Sequence, residues 1–169
     1  MGKIHSFRIV VVVVASLAIV AGMAAKPAFA RGGSCAADSS FSTPFAAWGD
    51  TTPYVFAPGG GGSLANGQSV TTDCVRVPEP QPIVRFFAQN TSGSGALHVE
   101  LLVTGTRLVL DGGLVSAPAT MGPVAQIVIL PVGLRFGALP LQVRLTAVDG
   151  SFNIGDVYID PFVQKSADL

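Results

Sequence analysis

Short apolar runs separated by turn-forming residues are the feature that most constrains the fold of this chain. Val, Leu, Ile and Phe recur in short stretches, and Gly, Pro, Asn, Asp and Ser stand between them. The connections are too short for helical crossovers, which favours antiparallel pairing. We therefore predict an all-β fold, an antiparallel β-sandwich or jelly roll. Its predicted strands, about eight, cover residues 54–56, 69–75, 83–90, 96–103, 107–110, 124–130, 141–147 and 152–159.

The first thirty residues have the features of an export signal. Basic residues precede an apolar run over residues 9–25, and Ala28-Phe29-Ala30 places small residues at both positions that signal peptidase recognises. We predict a signal peptide over residues 1–30 and a single β-sandwich domain over residues 31–169, secreted or held in the cell envelope. After cleavage no membrane span would remain. Because the run approaches the length of a bilayer span, a retained anchor stays open as an alternative.

Charge narrows the range of partners. Removal of the predicted signal peptide leaves 139 residues, with seven basic and ten acidic side chains and a net charge of −3. Surfaces that bind nucleic acid are strongly basic, so we expect no nucleic-acid partner. The sequence leaves the oligomeric state open.

The chain has two cysteines, Cys35 and Cys74. In an oxidising compartment an isolated pair most simply forms a disulfide, and we predict that bond here. The bridge would close a loop of about 40 residues and contribute about 4 kcal/mol in the chain-entropy model. Two unpaired thiols are the alternative.

The turn at residues 91–95 separates two strands with strict alternation. A hairpin about this turn would place Arg85 opposite Glu100 and Phe86 opposite Val99. One face would then supply the core and the other would be polar. The predicted core side chains are Val84, Phe86, Ala88, Leu97, Val99 and Leu101, and the predicted outer ones are Arg85, Phe87, Gln89, His98 and Glu100.

A second hairpin is predicted at Asp149-Gly150, a dipeptide suited to positive φ. The strand before it alternates cleanly, whereas the strand after it changes phase between Ile154 and Val157. Gly155 lies at the change of phase and predicts a β-bulge. Such a bulge would aim Asp156 out of the core.

Three segments, residues 45–50, 85–90 and 152–161, carry a resemblance to known proteins. They resemble segments of a family of uncharacterised secreted actinobacterial proteins. Their closing strand is similar to that of galactose-binding-like jelly rolls, the fold of many carbohydrate-binding modules. The resemblance implies a binding role, although this fold carries many unrelated activities. In carbohydrate-binding relatives the last strand often has two adjacent acids, and Gly155 stands at the first of these positions.

Catalytic chemistry has little support in the sequence. A Ser-His-acid triad would have to use His98, because His5 leaves with the predicted signal, and no Gly-x-Ser-x-Gly elbow accompanies it. The ten acids offer no identifiable pair for glycoside hydrolysis. We therefore predict that the protein is not an enzyme.

Binding of a sugar needs aromatic faces and hydrogen-bonding side chains. A loop-like region and one face of the predicted sheet supply both kinds. The candidate ligand-binding residues are Trp48, Asp50, Tyr54, Arg85, Gln89 and Glu100. Two alternatives stay open: Trp48 as a buried core residue, and Arg85 with Glu100 as a structural ion pair.

Structural calcium is the one cofactor for which the sequence offers ligands. Asp156 and Asp160 on the closing strand, with Asp38 or Asp50, would supply oxygen ligands; alternatively they are solvated or hydrogen-bonded to loops. The sequence as a whole predicts a secreted, non-catalytic module that binds a carbohydrate or another cell-envelope ligand. The alternative is a structural or protein-interaction domain of the cell envelope.

Overall fold

The computed structural model describes Cys35 and residues 41–77, 83–129 and 139–160. These residues form two antiparallel sheets, of seven and five strands, whose inner side chains share one core. The predicted antiparallel β-sandwich is confirmed. The strands are β1 (Phe41–Ser42), β2 (Tyr54–Ala57), β3 (Gly62–Leu64), β4 (Ser69–Thr71), β5 (Val75–Val77), β6 (Ile83–Asn90), β7 (Ala96–Val103), β8 (Val109–Val115), β9 (Gly122–Pro123), β10 (Ile127–Val128), β11 (Leu139–Val148) and β12 (Phe152–Asp160), with a short 3-10 helix at Ala46–Trp48.

The strand order is that of a jelly roll. One sheet, named here the front sheet, runs β1-β2-β12-β6-β10, with β3 beside β12 and β9 beside β6. The other, the back sheet, runs β4-β11-β7-β8, with β5 beside β11. The chain crosses repeatedly from one sheet to the other. The last two strands are central in their sheets: β11 lies between β4 and β7, and β12 lies between β2 and β6. The order β2-β12-β6-β10 in one sheet, facing β4-β11-β7-β8 in the other, is the jelly-roll solution to closing a β-sandwich.

The strand boundaries follow the apolar alternation only where it is long. The bounds of β6 and β7 are those predicted. The predicted strand over residues 69–75 is divided into β4 and β5, and the predicted strand over 124–130 is reduced to β10. Strands β1, β3 and β9 have two or three residues each, too few to show an alternation in the sequence.

Both predicted hairpins are wrong. Strand β6 lies in the front sheet and β7 in the back sheet, so the turn between them is an arch that joins the two layers. Strands β11 and β12 are likewise joined by an arch. Each strand pairs instead with one distant in sequence, β6 with β12 and β7 with β11. The alternation still predicts the core correctly, because the same alternate side chains of β6 and β7 face the core whether an arch or a hairpin joins the strands. The predicted core residues are all fully buried: Val84, Phe86, Ala88, Leu97, Val99 and Leu101.

The two arches contact each other at one end of the sandwich. The Thr91 amide donates to the Ser151 carbonyl at 2.9 Å, and the Ser151 amide donates to the Ser92 hydroxyl at 2.9 Å. Asp149 takes the predicted positive φ, at 54°. Gly150 is required for a different reason, because a Cβ there would lie 2.2 Å from the Ser94 carbonyl oxygen.

The predicted bulge in β12 is confirmed. The pairing of β12 with β6 shifts register between Ile154 and Val157, so that Gly155 and Asp156 together face Phe87. A Cβ on Gly155 would lie 3.1 Å from the Phe87 Cβ, which explains the small residue. Asp156 is exposed, as predicted.

The predicted disulfide is also confirmed. Cys35 and Cys74 are bonded, with their Cα atoms 4.8 Å apart. The bond ties the chain before β1 to the segment between β4 and β5. In the part of the chain that the structure describes, no helix has the length and apolar character needed to span a bilayer. The predicted signal peptide lies outside that part.

Candidate functional site

The outer surface of the front sheet carries a cluster of aromatic rings. Phe45 precedes the 3-10 helix and is fully buried. Its ring stacks on Phe87 at 4.9 Å and meets Tyr158 edge-on at 5.5 Å. Trp48 packs edge-on against Phe87 at 5.4 Å between centroids. We call Phe45, Trp48, Phe87 and Tyr158 the aromatic face.

Trp48 is presented to solvent rather than buried. It is 54% exposed, so the alternative of a core tryptophan is wrong. The 3-10 helix that carries it has no buried residue and is followed by Gly49, whose φ of 82° is the left-handed conformation that glycine adopts readily. Phe45 anchors the segment, and Trp48 remains on its outer side.

A polar network holds this segment to the sheet. The carboxylate of Asp50 accepts hydrogen bonds from the Tyr54 hydroxyl at 2.7 Å, the Gln126 side-chain amide at 3.0 Å and the Thr52 amide at 3.0 Å. It also forms an ion pair with Arg85. We call Asp50, Tyr54, Arg85 and Gln126 the anchor network.

The anchor network fixes the charge of its members. Burial on its own would raise the pKa of Asp50, but the hydrogen bonds from Tyr54, Thr52 and Gln126 outweigh it and hold that pKa well below the usual range. Burial, and then the hydrogen bond to Asp50, raise the pKa of Tyr54 to about 12. Asp50 is thus a permanent anion and Tyr54 a permanent neutral donor near neutral pH.

Arg85 completes the anchor. Its Nε donates to the Val124 carbonyl at 3.1 Å, and its guanidinium carbon lies 4.4 Å from the centre of the Phe45 ring. The Arg85 and Asp50 side chains are 13% and 12% exposed. With Tyr54 fully buried, these three predicted ligand-binding residues are brought together as a support beneath the aromatic face.

A row of polar side chains crosses the front sheet beside the aromatic face. The Ser63 hydroxyl donates to the Asn153 side-chain oxygen at 2.7 Å, and the Asn153 amide donates to the Gln89 side-chain oxygen at 3.4 Å. Gln89 in turn donates to the Ala119 carbonyl at 3.0 Å. We call Ser63, Asn153 and Gln89 the polar row. All three side chains are at least partly open to solvent.

Glu100 lies on the opposite side of the molecule. It is on the outer surface of the back sheet, where Arg144 donates to its two oxygens at 2.6 and 2.7 Å. These hydrogen bonds are the largest influence on its pKa, which is lowered. The predicted pairing of Glu100 with Arg85 is therefore wrong, because the arch between β6 and β7 places the two residues in different sheets. Glu100 forms a cross-strand ion pair with Arg144 instead.

His98 lies on the same back sheet. Its Nε2 is 2.8 Å from an oxygen of Asp111, which also accepts a hydrogen bond from the Gly113 amide at 2.7 Å. Among the residues placed by the structure, no serine hydroxyl hydrogen-bonds to the His98 ring.

The candidate calcium ligands are not gathered at one point in the described chain. Asp156 is exposed and accepts a hydrogen bond from the Tyr158 hydroxyl at 3.4 Å, whereas Asp160 is buried. Asp50 belongs to the anchor network, and Asp38 lies outside the described residues. Within the ranges 41–77, 83–129 and 139–160, no three His, Cys, Asp or Glu side chains are grouped as metal ligands would be.

Several residues of this surface have no site role that the sequence alone predicts. Phe87 is predicted to face outward, but not to stack with Phe45. Tyr158 follows the bulge, and the change of phase at Gly155 is the signal that places it on the outer surface. Gln126 and Asn153 give no sequence signal, because their roles depend on contacts with strands distant in sequence.

No protein-family model matches the chain, and no curated protein matches it. Among solved structures, the chain is similar to the C-terminal CBM6 of LamC, a marine laminarinase from Zobellia galactanivorans. The TM-score is 0.41 and the sequence identity is 17%, over 63% of this chain and 87% of that chain. The likeness concerns the course of the β-strands and assigns a role to no residue.

Proposed function

We propose that the protein is an exported, non-catalytic module that binds carbohydrate on the outer surface of the front sheet. The observation that carries the proposal is Trp48, a largely exposed indole packed against Phe87. Burying such a ring on a ligand recovers apolar contact area, and sugar rings offer apolar C–H surfaces that match an aromatic face. Among the described residues, Trp48 is the largest of the exposed apolar side chains.

The residues beneath Trp48 hold it in place before any ligand binds. Phe45 is held by three ring contacts and by the guanidinium of Arg85, and the anchor network fixes the segment that carries both Phe45 and Trp48. A platform that is already ordered loses less conformational entropy when a ligand binds. In this proposal Asp50, Tyr54 and Arg85 position the platform and do not touch the ligand.

The polar row supplies the hydrogen-bonding groups. Hydroxyl and side-chain amide groups both donate and accept, as sugar hydroxyls do, so Ser63, Asn153 and Gln89 suit an uncharged polyol. Glu100 is not part of this site.

Export is the second part of the proposal. The predicted signal peptide over residues 1–30 and the Cys35–Cys74 disulfide both suit an oxidising compartment outside the cytoplasm. The domain would then be the chain from residue 31 onward. Expression of the full chain in a secreting host tests this part: mass spectrometry of protein recovered from the medium should show Arg31 as its first residue. A chain that stays in the cells and still begins at Met1 would overturn it.

Glycan binding is tested with the disulfide-bonded protein on a panel of immobilised polysaccharides. We expect binding to at least one glycan, and we expect Trp48→Ala to weaken that binding about tenfold or more. Leu114→Ala is the matched control, because Leu114 is also a largely exposed apolar side chain but lies on the back sheet, and this variant should bind as the unmodified protein does. Folded protein that binds no glycan, or binding that Trp48→Ala leaves unchanged, would overturn the proposal in favour of a protein-interaction domain.

A further inference from the structure

We infer that the preferred ligand is a polysaccharide that carries protonated amino groups, such as a polymer of glucosamine. The inference rests on the proposed function and deepens it by naming the ligand class. It is drawn from the juxtaposition of the aromatic face with one exposed carboxylate, that of Asp156, on a surface whose one described cation is already paired.

The charges of the front surface are unequal. Arg85 is the one basic side chain that the described residues place there, and its guanidinium is held by Asp50 and Phe45. The other described arginines lie elsewhere: Arg76 and Arg144 on strands of the back sheet, and Arg107 in the turn before β8. Asp156 therefore contributes negative charge with no cation of the described chain beside it.

The bulge in β12 puts this carboxylate next to the rings. Asp156 and Gly155 together face Phe87 across the sheet, and the Tyr158 hydroxyl lies 3.4 Å from an Asp156 oxygen. Phe87 is also the ring on which Trp48 packs. One continuous surface is thus formed by the Asp156 carboxylate, the rings of Tyr158 and Phe87, and the Trp48 indole. A strand without the extra residue would turn position 156 toward the core.

An ammonium group gains from both components of this surface. It is attracted to the face of an aromatic ring, most strongly tryptophan, and it donates charge-assisted hydrogen bonds to a carboxylate. A sugar acid would be repelled by Asp156. The one basic side chain that the described residues place on this surface, Arg85, is already paired and would not offset that repulsion. An uncharged sugar would lose nothing, but would gain only the contacts with the rings and the polar row.

The test compares four polymers: a glucosamine polymer, its fully N-acetylated counterpart, an uncharged glucose polymer and a polygalacturonate. Binding of each is measured for the unmodified protein, Asp156→Asn and Trp48→Ala. We expect tightest binding to the glucosamine polymer and loss of about two- to fivefold with Asp156→Asn, the range of an exposed ion pair. Asp156→Asn should leave binding to the glucose polymer unchanged, and added salt should reduce the preference for the amine.

Asp149→Asn is the matched control, since it removes the same charge from the arch between β11 and β12, and asparagine accepts its positive φ. An equal loss in Asp149→Asn would mean that net charge alone is responsible, and would overturn the inference. Binding to uncharged sugar, with no preference for the amine and no effect of Asp156→Asn, would also overturn it while leaving the proposed function in place. Absence of binding to all four polymers and to the glycan panel would remove the proposed function itself.

Discussion

Replacement of Asp50 by Asn is the sharpest test of how the aromatic face is supported. The change keeps the shape of the side chain and removes its charge, which leaves the Arg85 guanidinium without its ion-pair partner. Removing one member of a fully buried ion pair costs about 3–5 kcal/mol. Here both side chains keep about an eighth of their exposure, and Arg85 keeps its contacts with the Val124 carbonyl and the Phe45 ring. We therefore expect Asp50→Asn to lower the free energy of unfolding by about 2–4 kcal/mol.

Urea unfolding measures this difference directly. With a denaturant slope of about 1–3 kcal/mol per molar, the midpoint should fall by about 1–2 M at unchanged slope. Glu100→Gln is the matched control, because it removes the corresponding charge from the Arg144 pair on the back sheet. Arg144 is 29% exposed, against 13% for Arg85, so we expect a smaller loss of about 1 kcal/mol. Equal losses in the two variants, or a loss below about 0.5 kcal/mol for Asp50→Asn, would refute the role given to this ion pair.

The loss should also depend on pH. Because the pKa of Asp50 is lower in the folded than in the unfolded protein, its contribution to stability is complete above the unfolded value of about 4 and declines as the pH falls below it. The difference between the unmodified protein and Asp50→Asn should therefore narrow in acid. A difference that stays constant from neutral pH into strong acid would contradict the assignment.

Three further outcomes are expected. The pKa of Tyr54 is raised from 10.0 to about 12, so the protonated phenol contributes fully to stability below pH 10, and this contribution is lost as the pH approaches 12. The free energy of unfolding, measured against pH, should therefore decline over this range in the unmodified protein and not in Tyr54→Phe. Replacing Cys35 and Cys74 by Ser should cost about 4 kcal/mol, measured by urea unfolding beside the oxidised protein, and a cost near zero would contradict the bond. Gly150→Ala should lower Tm markedly, because its Cβ would meet the Ser94 carbonyl at 2.2 Å, whereas Gly122→Ala, with its nearest contact at 3.4 Å, should not; equal Tm values would argue against the tight packing of the arches.

Local patterns predicted the layers of this fold but not their connections. Alternation of apolar and polar side chains identifies β6 and β7 and their buried faces, because the period of two is a property of each strand alone. Pairing is decided between strands. A Gly-rich turn after β6 is compatible with a hairpin in one sheet and with an arch between two, and the sequence contains no local signal that separates them.

The candidate site was limited by the same ambiguity. Asp50 and Tyr54 are close in sequence, and their contact is local enough to expect. Arg85 joins them only because β6 and β2 lie on either side of β12. Glu100 belongs to the predicted site only through the hairpin that would bring it to Arg85, and that hairpin does not form. Phe45 is buried and Trp48, three residues later, is exposed, and composition alone does not distinguish these two aromatics.

The two arches also govern when this chain can fold. Strands β11 and β12 pair with earlier strands in both sheets, so one side of β6 and one side of β7 stay unpaired until almost the whole sequence is available. Closing such long loops costs entropy before any contact compensates it, which places the domain among slow folders of high contact order. A nascent chain that stops before β11 can pair β6 with β9 and β10, and β7 with β8, but it lacks the partner on the other side of each strand. It should remain open and accessible to proteases until its last segment emerges.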